Sequence, residues 1–99
     1  MQISKERKED RLEWALSGRL DTVTAPQLQE AVKTDLEGVR NLTIDMAALE
    51  YITSAGLRVL LQASKKLGAL GGTVAIQNAN KEIREVFKIT GFDTILHVQ

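Results

Sequence analysis

The sequence contains no cysteine, a single proline and a single histidine, His97, close to its end. Without cysteine, disulfides, thiolate metal ligands and a cysteine nucleophile are excluded, and one histidine cannot form a histidine-rich metal site. We therefore expect no metal and no other cofactor. His97 is interpreted as a peripheral residue of a short last strand.

The chain also lacks an excess of charge of either sign, since 13 Lys and Arg residues balance 13 Asp and Glu residues. A nucleic acid or an anionic membrane would require a basic surplus, so neither is expected as a partner. The charged first eleven residues contain no apolar stretch of the kind found in signal peptides, and no apolar run approaches the ~20 residues of a membrane helix. We expect a cytoplasmic protein with one domain over residues 1–99 and no membrane insertion.

Apolar and polar residues alternate from Arg11 to Leu20, which predicts a strand with one buried face that includes Trp14. The polar stretch Ile3–Lys8 predicts an edge strand, joined to the first by a hairpin at Glu9-Asp10. Three further strands are predicted at residues 42–45, 73–77 and 94–98, with residues 46–50 as a connection.

Helical spacing of apolar residues predicts three helices. The first begins at Thr24, because Thr24-Ala25-Pro26-Gln27 has the pattern of a capping box with an early proline. The second follows Thr53-Ser54, and the third is capped by Asn80 and ended by Gly91. The order β-β-α-β-α-β-α-β predicts an α/β domain in which a mixed sheet of about five strands packs against helices.

Ser54 stands where a connection turns into the N-terminus of a helix, and the small residues Ala55 and Gly56 leave the backbone there open. The free N–H groups and the positive end of the helix dipole stabilise a negative group by up to ~1 kcal/mol. A phosphate on Ser54 is therefore compatible with this position. Spacing alone favours a simpler interpretation, in which Ser54 is an N-cap and Gly56 is a packing residue.

The segment from Tyr51 to Leu61, YITSAGLRVLL, resembles the hallmark segment of STAS domains. The stretch from Ser17 to Ala25, SGRLDTVTA, is similar to the Gly-x-Leu-Asp turn of that family. The resemblance extends over nearly the whole chain, through Ile44-Asp45, Gly71-Gly72, Val86-Phe87 and Gly91-Phe92. In the antagonist branch of the family, an anti-sigma-factor kinase phosphorylates the serine of an Asp-Ser-Ser/Thr-Gly motif, and Ser54 matches that serine.

The resemblance implies a non-enzymatic anti-sigma factor antagonist, expected to be a monomer or a weak dimer. Unphosphorylated, it would bind an anti-sigma factor serine kinase and release a sigma factor. Phosphorylation of Ser54, with Thr53 as the alternative acceptor, would switch it off, and a metal-dependent serine phosphatase would reset it. The predicted partner-binding residues are Asp21, Thr22, Thr53, Ser54, Ala55, Gly56 and Arg58.

Two departures from the family motif leave other functions open. Thr53 replaces the usual acidic residue and Ala55 replaces the usual second hydroxyl, which favours a constitutive scaffold or an accessory subunit of a sensory assembly or transporter. A hydrolase with Ser54 as nucleophile lacks a Gly-x-Ser-x-Gly elbow and has only the distant His97 as a base. Nucleotide binding is not supported, because no Gly-x-x-x-x-Gly-Lys loop is present.

Three charged residues also have simpler interpretations. Asp21 would form an Asx-turn before the first helix, and Arg58 would be a solvated charge one turn into the second. Asp45 has no partner at catalytic spacing and is interpreted as a structural cap.

Overall fold

The computed structural model describes residues 1–99 and contains one five-stranded sheet and three α-helices. The strands are β1 (Gln2–Lys8), β2 (Arg11–Leu20), β3 (Asn41–Ile52), β4 (Thr73–Gln77) and β5 (His97–Val98). The helices are α1 (Ala25–Asp35), α2 (Ser54–Ala69) and α3 (Lys81–Thr90), and a 3₁₀ turn (Phe92–Thr94) precedes β5. The predicted fold class and element order are confirmed.

The strands lie in the order β1-β2-β3-β4-β5, with β1 antiparallel to β2 and all other neighbours parallel. The hairpin between β1 and β2 turns at Glu9, whose φ of 58° lies in the left-handed region. Because β2 to β5 run in the same direction, their carboxyl ends lie at one edge of the sheet. The connections to α1, α2 and α3 therefore all begin at that edge.

One face of the sheet is apolar and packs against the helices. Trp14 is fully buried, which confirms its predicted place in the core. The other fully or almost fully buried residues on this face of β2, β3 and β4 are Leu12, Leu16, Leu20, Leu42, Ile44, Met46, Leu49, Ile52, Val74 and Ile76. None of the three helices combines the length and the apolar composition needed to cross a membrane.

Two strand predictions were wrong in length. The predicted connection at residues 46–50 is part of β3, because the chain leaves β4 after Asp45 and continues to pair with the end of β2. Register shifts in that pairing break the regular alternation on which the sequence prediction depended. β5 has two residues instead of the predicted five, since the chain forms a 3₁₀ turn directly after Gly91.

Candidate functional site

The end of β2 and the start of α2 lie in direct contact at the carboxyl edge of the sheet. The amide of Thr53 donates a hydrogen bond of 3.0 Å to the carbonyl of Leu20. A Cβ atom on Gly56 would lie 2.6 Å from Cγ of Leu20 and 3.0 Å from Cγ1 of Ile52. The absence of a side chain at Gly56 therefore permits α2 to approach the strands, which confirms its packing role.

Ser54 is the first residue of α2, and Thr53 occupies the N-cap position without a side-chain capping bond. The interpretation of Ser54 as the N-cap was therefore wrong by one position. The first helical hydrogen bond runs from the amide of Leu57 to the carbonyl of Thr53 at 3.0 Å, so the amides of Ser54, Ala55 and Gly56 have no partner within the helix. No acidic side chain lies in this first turn, and the helix end can accept an anion.

The two neighbouring hydroxyl groups differ in accessibility. The Oγ1 atom of Thr53 is buried and has no hydrogen-bond partner, whereas Ser54 is exposed. Only the Ser54 hydroxyl is therefore presented to solvent at the start of α2.

Arg58 is exposed one turn further along α2 and borders a shallow cleft of about 210 Å³ between α1 and α2. Thr22, Pro26 and Ala55 line the same cleft. The only ion pair of the structure joins Lys5 and Asp35 elsewhere, so the Arg58 guanidinium has no carboxylate partner.

The turn between β2 and α1 is closed by a capping box that begins at Asp21. The Asp21 Oδ1 atom accepts hydrogen bonds from the amides of Val23 and Thr24, both at 3.0 Å. The Thr24 Oγ1 atom in turn accepts the amide proton of Asp21 at 2.9 Å and donates to the carbonyl of Arg19 at 2.8 Å. The Asx-turn interpretation of Asp21 is thereby confirmed.

The capping box predicted at Thr24 and Gln27 was wrong, although α1 begins after Thr24 as expected. The Thr24 hydroxyl is already engaged in the Asp21 box, and the amide of Gln27 donates to the backbone carbonyl of Thr24 at 3.0 Å instead. The box therefore lies one turn earlier in the chain than predicted.

The hydrogen bonds of the turn favour the ionised form of Asp21. The pKa of Asp21 is lowered, and the hydrogen bond from the Thr24 backbone amide is the largest cause. The Thr24 hydroxyl, the Val23 amide and the charge of Arg19 also lower it, and together these effects outweigh the desolvation that raises it. The Asp21 side chain is therefore an anion that already serves as an acceptor within its own turn.

Two features of this region were not predicted. Val23, in the Asp21 turn, is 86% exposed. The Cζ atom of Arg19 lies 5.6 Å from the centre of the Tyr51 ring, a cation–π contact beside the same edge. The parallel register of β2 and β3 places Arg19 opposite Tyr51, and no local sequence pattern indicates this pairing.

The remaining candidates lie apart from Ser54. Asp45 Oδ1 accepts hydrogen bonds from the Ala47 amide at 2.9 Å and from Asn78 Nδ2 at 3.1 Å, in agreement with a structural role. His97 is exposed on β5, as expected. The largest cavity, about 520 Å³ between α3 and β5, borders none of the predicted site residues.

Comparison with known proteins identifies the family. The family model described as "STAS domain" matches residues 2–99. The putative anti-sigma factor antagonist BtrV of Bordetella bronchiseptica is 32% identical over 99 residues, which cover 99% of this chain and 85% of the relative. The anti-sigma-B factor antagonist of Listeria monocytogenes is 30% identical over 97 residues, 96% of this chain and 84% of the relative.

A solved structure agrees with this assignment. The crystal structure of an anti-sigma factor antagonist from Mycobacterium paratuberculosis superimposes with a TM-score of 0.85 at 28% identity and covers 98% of this chain and 83% of that one. The residues that resemble the STAS hallmark, from Tyr51 to Leu61, form the end of β3 and the first half of α2. The chain belongs to the STAS domain family.

Proposed function

We propose that the protein is an anti-sigma factor antagonist, a binding module of one STAS domain formed by residues 1–99. Its relatives carry that name and match it over nearly its whole length. The observation that carries the proposal is the exposed Ser54 hydroxyl at the open N-terminus of α2, beside the Asp21 turn. The docking surface is formed by Thr22, Thr53, Ser54, Ala55 and Arg58, and it is shaped by Asp21, which closes the adjoining turn, and by the buried Gly56, which permits the approach of α2.

In this proposal the partner is an anti-sigma factor that is also a serine kinase, and Ser54 is the residue it modifies. The partner supplies ATP and its metal ion, and a separate metal-dependent phosphatase removes the phosphate. The buried Oγ1 atom of Thr53 supports Ser54 as the acceptor. The unpartnered amides of the first turn of α2 support the same choice, because they would stabilise the phosphoserine.

Phosphorylation would end binding without refolding the domain. A phosphoserine adds roughly −1.5 to −2 charges, and in a fitted interface that charge carries a desolvation cost. The ionised carboxylate of Asp21 follows Leu20, whose carbonyl binds Thr53, so like charges would meet on one surface. Both effects oppose docking of the modified domain.

The test uses the anti-sigma factor kinase encoded nearest to this gene. After incubation with kinase, magnesium and ATP, intact-mass measurement should show one added phosphoryl group on the wild type and on Thr53→Val, which keeps the shape of the buried side chain. Ser54→Ala should gain none. Ser54→Asp should bind the kinase about tenfold or more weakly than Ser54→Ala.

Two results would count against the proposal. Unmodified wild-type protein would exclude the phosphorylation switch, and equal affinity of Ser54→Asp and wild type would exclude Ser54 from the interface. If Ser54→Ala retained every function in the cell, the constitutive scaffold favoured by Thr53 and Ala55 would replace the switch.

A further inference from the structure

Val23 is more exposed than any other large hydrophobic residue of the chain. It lies in the turn between β2 and α1, outside the core. A single exposed apolar side chain is common on protein surfaces and needs no functional explanation by itself. The backbone around Val23 is what distinguishes it from Ile89, the next most exposed, which lies on the outer side of α3.

The turn holds Val23 in one position. Its amide donates to Asp21 Oδ1 at 3.0 Å, and the Thr24 amide donates to the same atom. The Thr24 hydroxyl oxygen accepts the amide proton of Asp21, and the Ala25 amide donates to the Asp21 carbonyl at 2.7 Å. A β-branched side chain on such a backbone has few conformations to lose, so its burial by a partner costs little entropy.

The same turn borders the start of α2. Thr22, which precedes Val23, lines the cleft between α1 and α2 together with Ala55 and Arg58. Leu20, at the other end of the turn, binds Thr53 through its carbonyl. A protein that covers Ser54 and this cleft would therefore lie beside the turn that carries Val23.

The Asp21 carboxylate has a structural role in the turn that carries Val23. Its Oδ1 atom already accepts two amide hydrogen bonds that close the turn. An asparagine would offer the same acceptor without the charge, because both residues are good caps. The bonding of Asp21 thus explains its presence without any contact to another molecule.

We propose that Val23 is the apolar anchor of the docking surface, and that Asp21 acts as a positioning residue that holds Val23 toward the partner. The inference rests on the proposed function, and the occupant is the anti-sigma factor, which receives Val23 in an apolar pocket. Loss of a buried valine side chain from such a contact should weaken binding about tenfold or more.

The test measures the affinity of the purified domain for the anti-sigma factor by titration calorimetry. Val23→Ser should bind about tenfold or more weakly, while Val23→Ile, which keeps an apolar β-branched side chain, should stay within about threefold of wild type. Asp21→Asn should also stay within about threefold, whereas Asp21→Ala, which removes the acceptor, should weaken binding about tenfold.

Thermal unfolding of each variant checks that the fold is intact, and Val23→Ser changes a side chain that makes no core contact. Wild-type affinity of Val23→Ser would overturn the anchor, and equal losses in Asp21→Asn and Asp21→Ala would show a charge contact instead of positioning. Wild type that fails to bind the anti-sigma factor would overturn the proposed function itself, and with it this inference.

Discussion

The carbonyl of Leu20 accepts the amide proton of Thr53 at 3.0 Å, and this bond joins the last residue of β2 to the N-cap of α2. Gly56 packs against the side chain of the same leucine. Two segments that are distant in sequence, the Asp21 turn and the start of α2, are therefore fixed relative to each other by contacts to one residue. The contacts to Leu20 thus bring the parts of the candidate site together within the fold.

Gly56→Ala should destabilise the domain by about 1–3 kcal/mol, because the added Cβ would lie 2.6 Å from Leu20 Cγ and force α2 away from β2. Urea unfolding measures the effect. Gly68→Ala is the matched control in the same helix, where a Cβ meets no atom within 4 Å. It should stabilise the domain by about 0.5–1 kcal/mol, and a Gly56→Ala protein as stable as wild type would contradict the close approach.

Ser54→Asp should make the free domain more stable than Ser54→Asn by up to ~1 kcal/mol at low salt, since the charge meets the positive end of α2. The comparison with asparagine isolates the charge from the change in shape. At Ala69, the last residue of α2, the order should reverse, with Asp less stable than Asn. Chemical unfolding of the four variants tests this, and equal effects at both ends would exclude a role for the helix dipole.

Asn80→Ala should lower the free energy of unfolding by about 1–2 kcal/mol, because Asn80 Oδ1 caps α3 through a 2.8 Å bond from the Ile83 amide. Its Nδ2 group also donates to the carbonyls of Leu49 and Glu50, at 3.3 and 3.2 Å.

Asn80→Asp separates these two roles, as it keeps the acceptor for the cap but loses both donors. Hydrogen exchange at the end of β3 should accelerate in both variants, whereas fraying of α3 should increase only in Asn80→Ala. Unchanged exchange at Ile52 in both proteins would refute the connection between α3 and β3.

Asp35 should make stability depend on pH in acid. Burial raises the pKa of Asp35, but the ion pair with Lys5, whose Nζ lies 2.7 Å from Oδ2, and the hydrogen bond from the Thr34 hydroxyl outweigh it and hold the pKa below its ordinary value. The stabilisation is complete above the unfolded-state pKa and is lost as the pH falls through the lower folded-state pKa.

Unfolding free energies measured from about pH 5 down to about pH 2 should therefore fall less steeply in Asp35→Asn than in wild type. Glu37→Gln, which removes an exposed carboxylate without an ion pair just after α1, is the control. A wild-type slope in Asp35→Asn would show that the ion pair of Asp35 with Lys5 does not contribute to stability.

Elements with a complete local signal were predicted from sequence. The alternation in β2 and the cap at Asn80 each depend on residues within a few positions of one another, and both are confirmed. The length of β3 was not predictable in this way, because its second half is held by the end of β2 across register shifts. Pairing between segments that are distant in sequence produces no regular alternation of apolar and polar residues that could be recognised locally.

The site shows the same division. The start of a helix at Ser54 follows from local pattern, within one residue. The position of the capping box does not follow from local pattern, because two candidate boxes, Asp21-x-x-Thr24 and Thr24-x-x-Gln27, share Thr24. In the fold, the Thr24 hydroxyl is engaged in the box with Asp21. The exposure of Val23 could not be predicted either, since a β-branched apolar residue ordinarily indicates burial.

The sheet is not equally wide along its length. Pairing of β1 with β2 ends at Ser17, and pairing of β3 with β4 ends at Asp45. Beyond these points the sheet has only two strands, in which residues 18–20 of β2 pair with residues 49–52 of β3. Two-stranded ribbons twist more strongly than wide sheets. Ser54 and Val23 thus both follow the two-stranded part of the sheet, so the pairing of β2 with β3 sets where the chain enters α1 and α2.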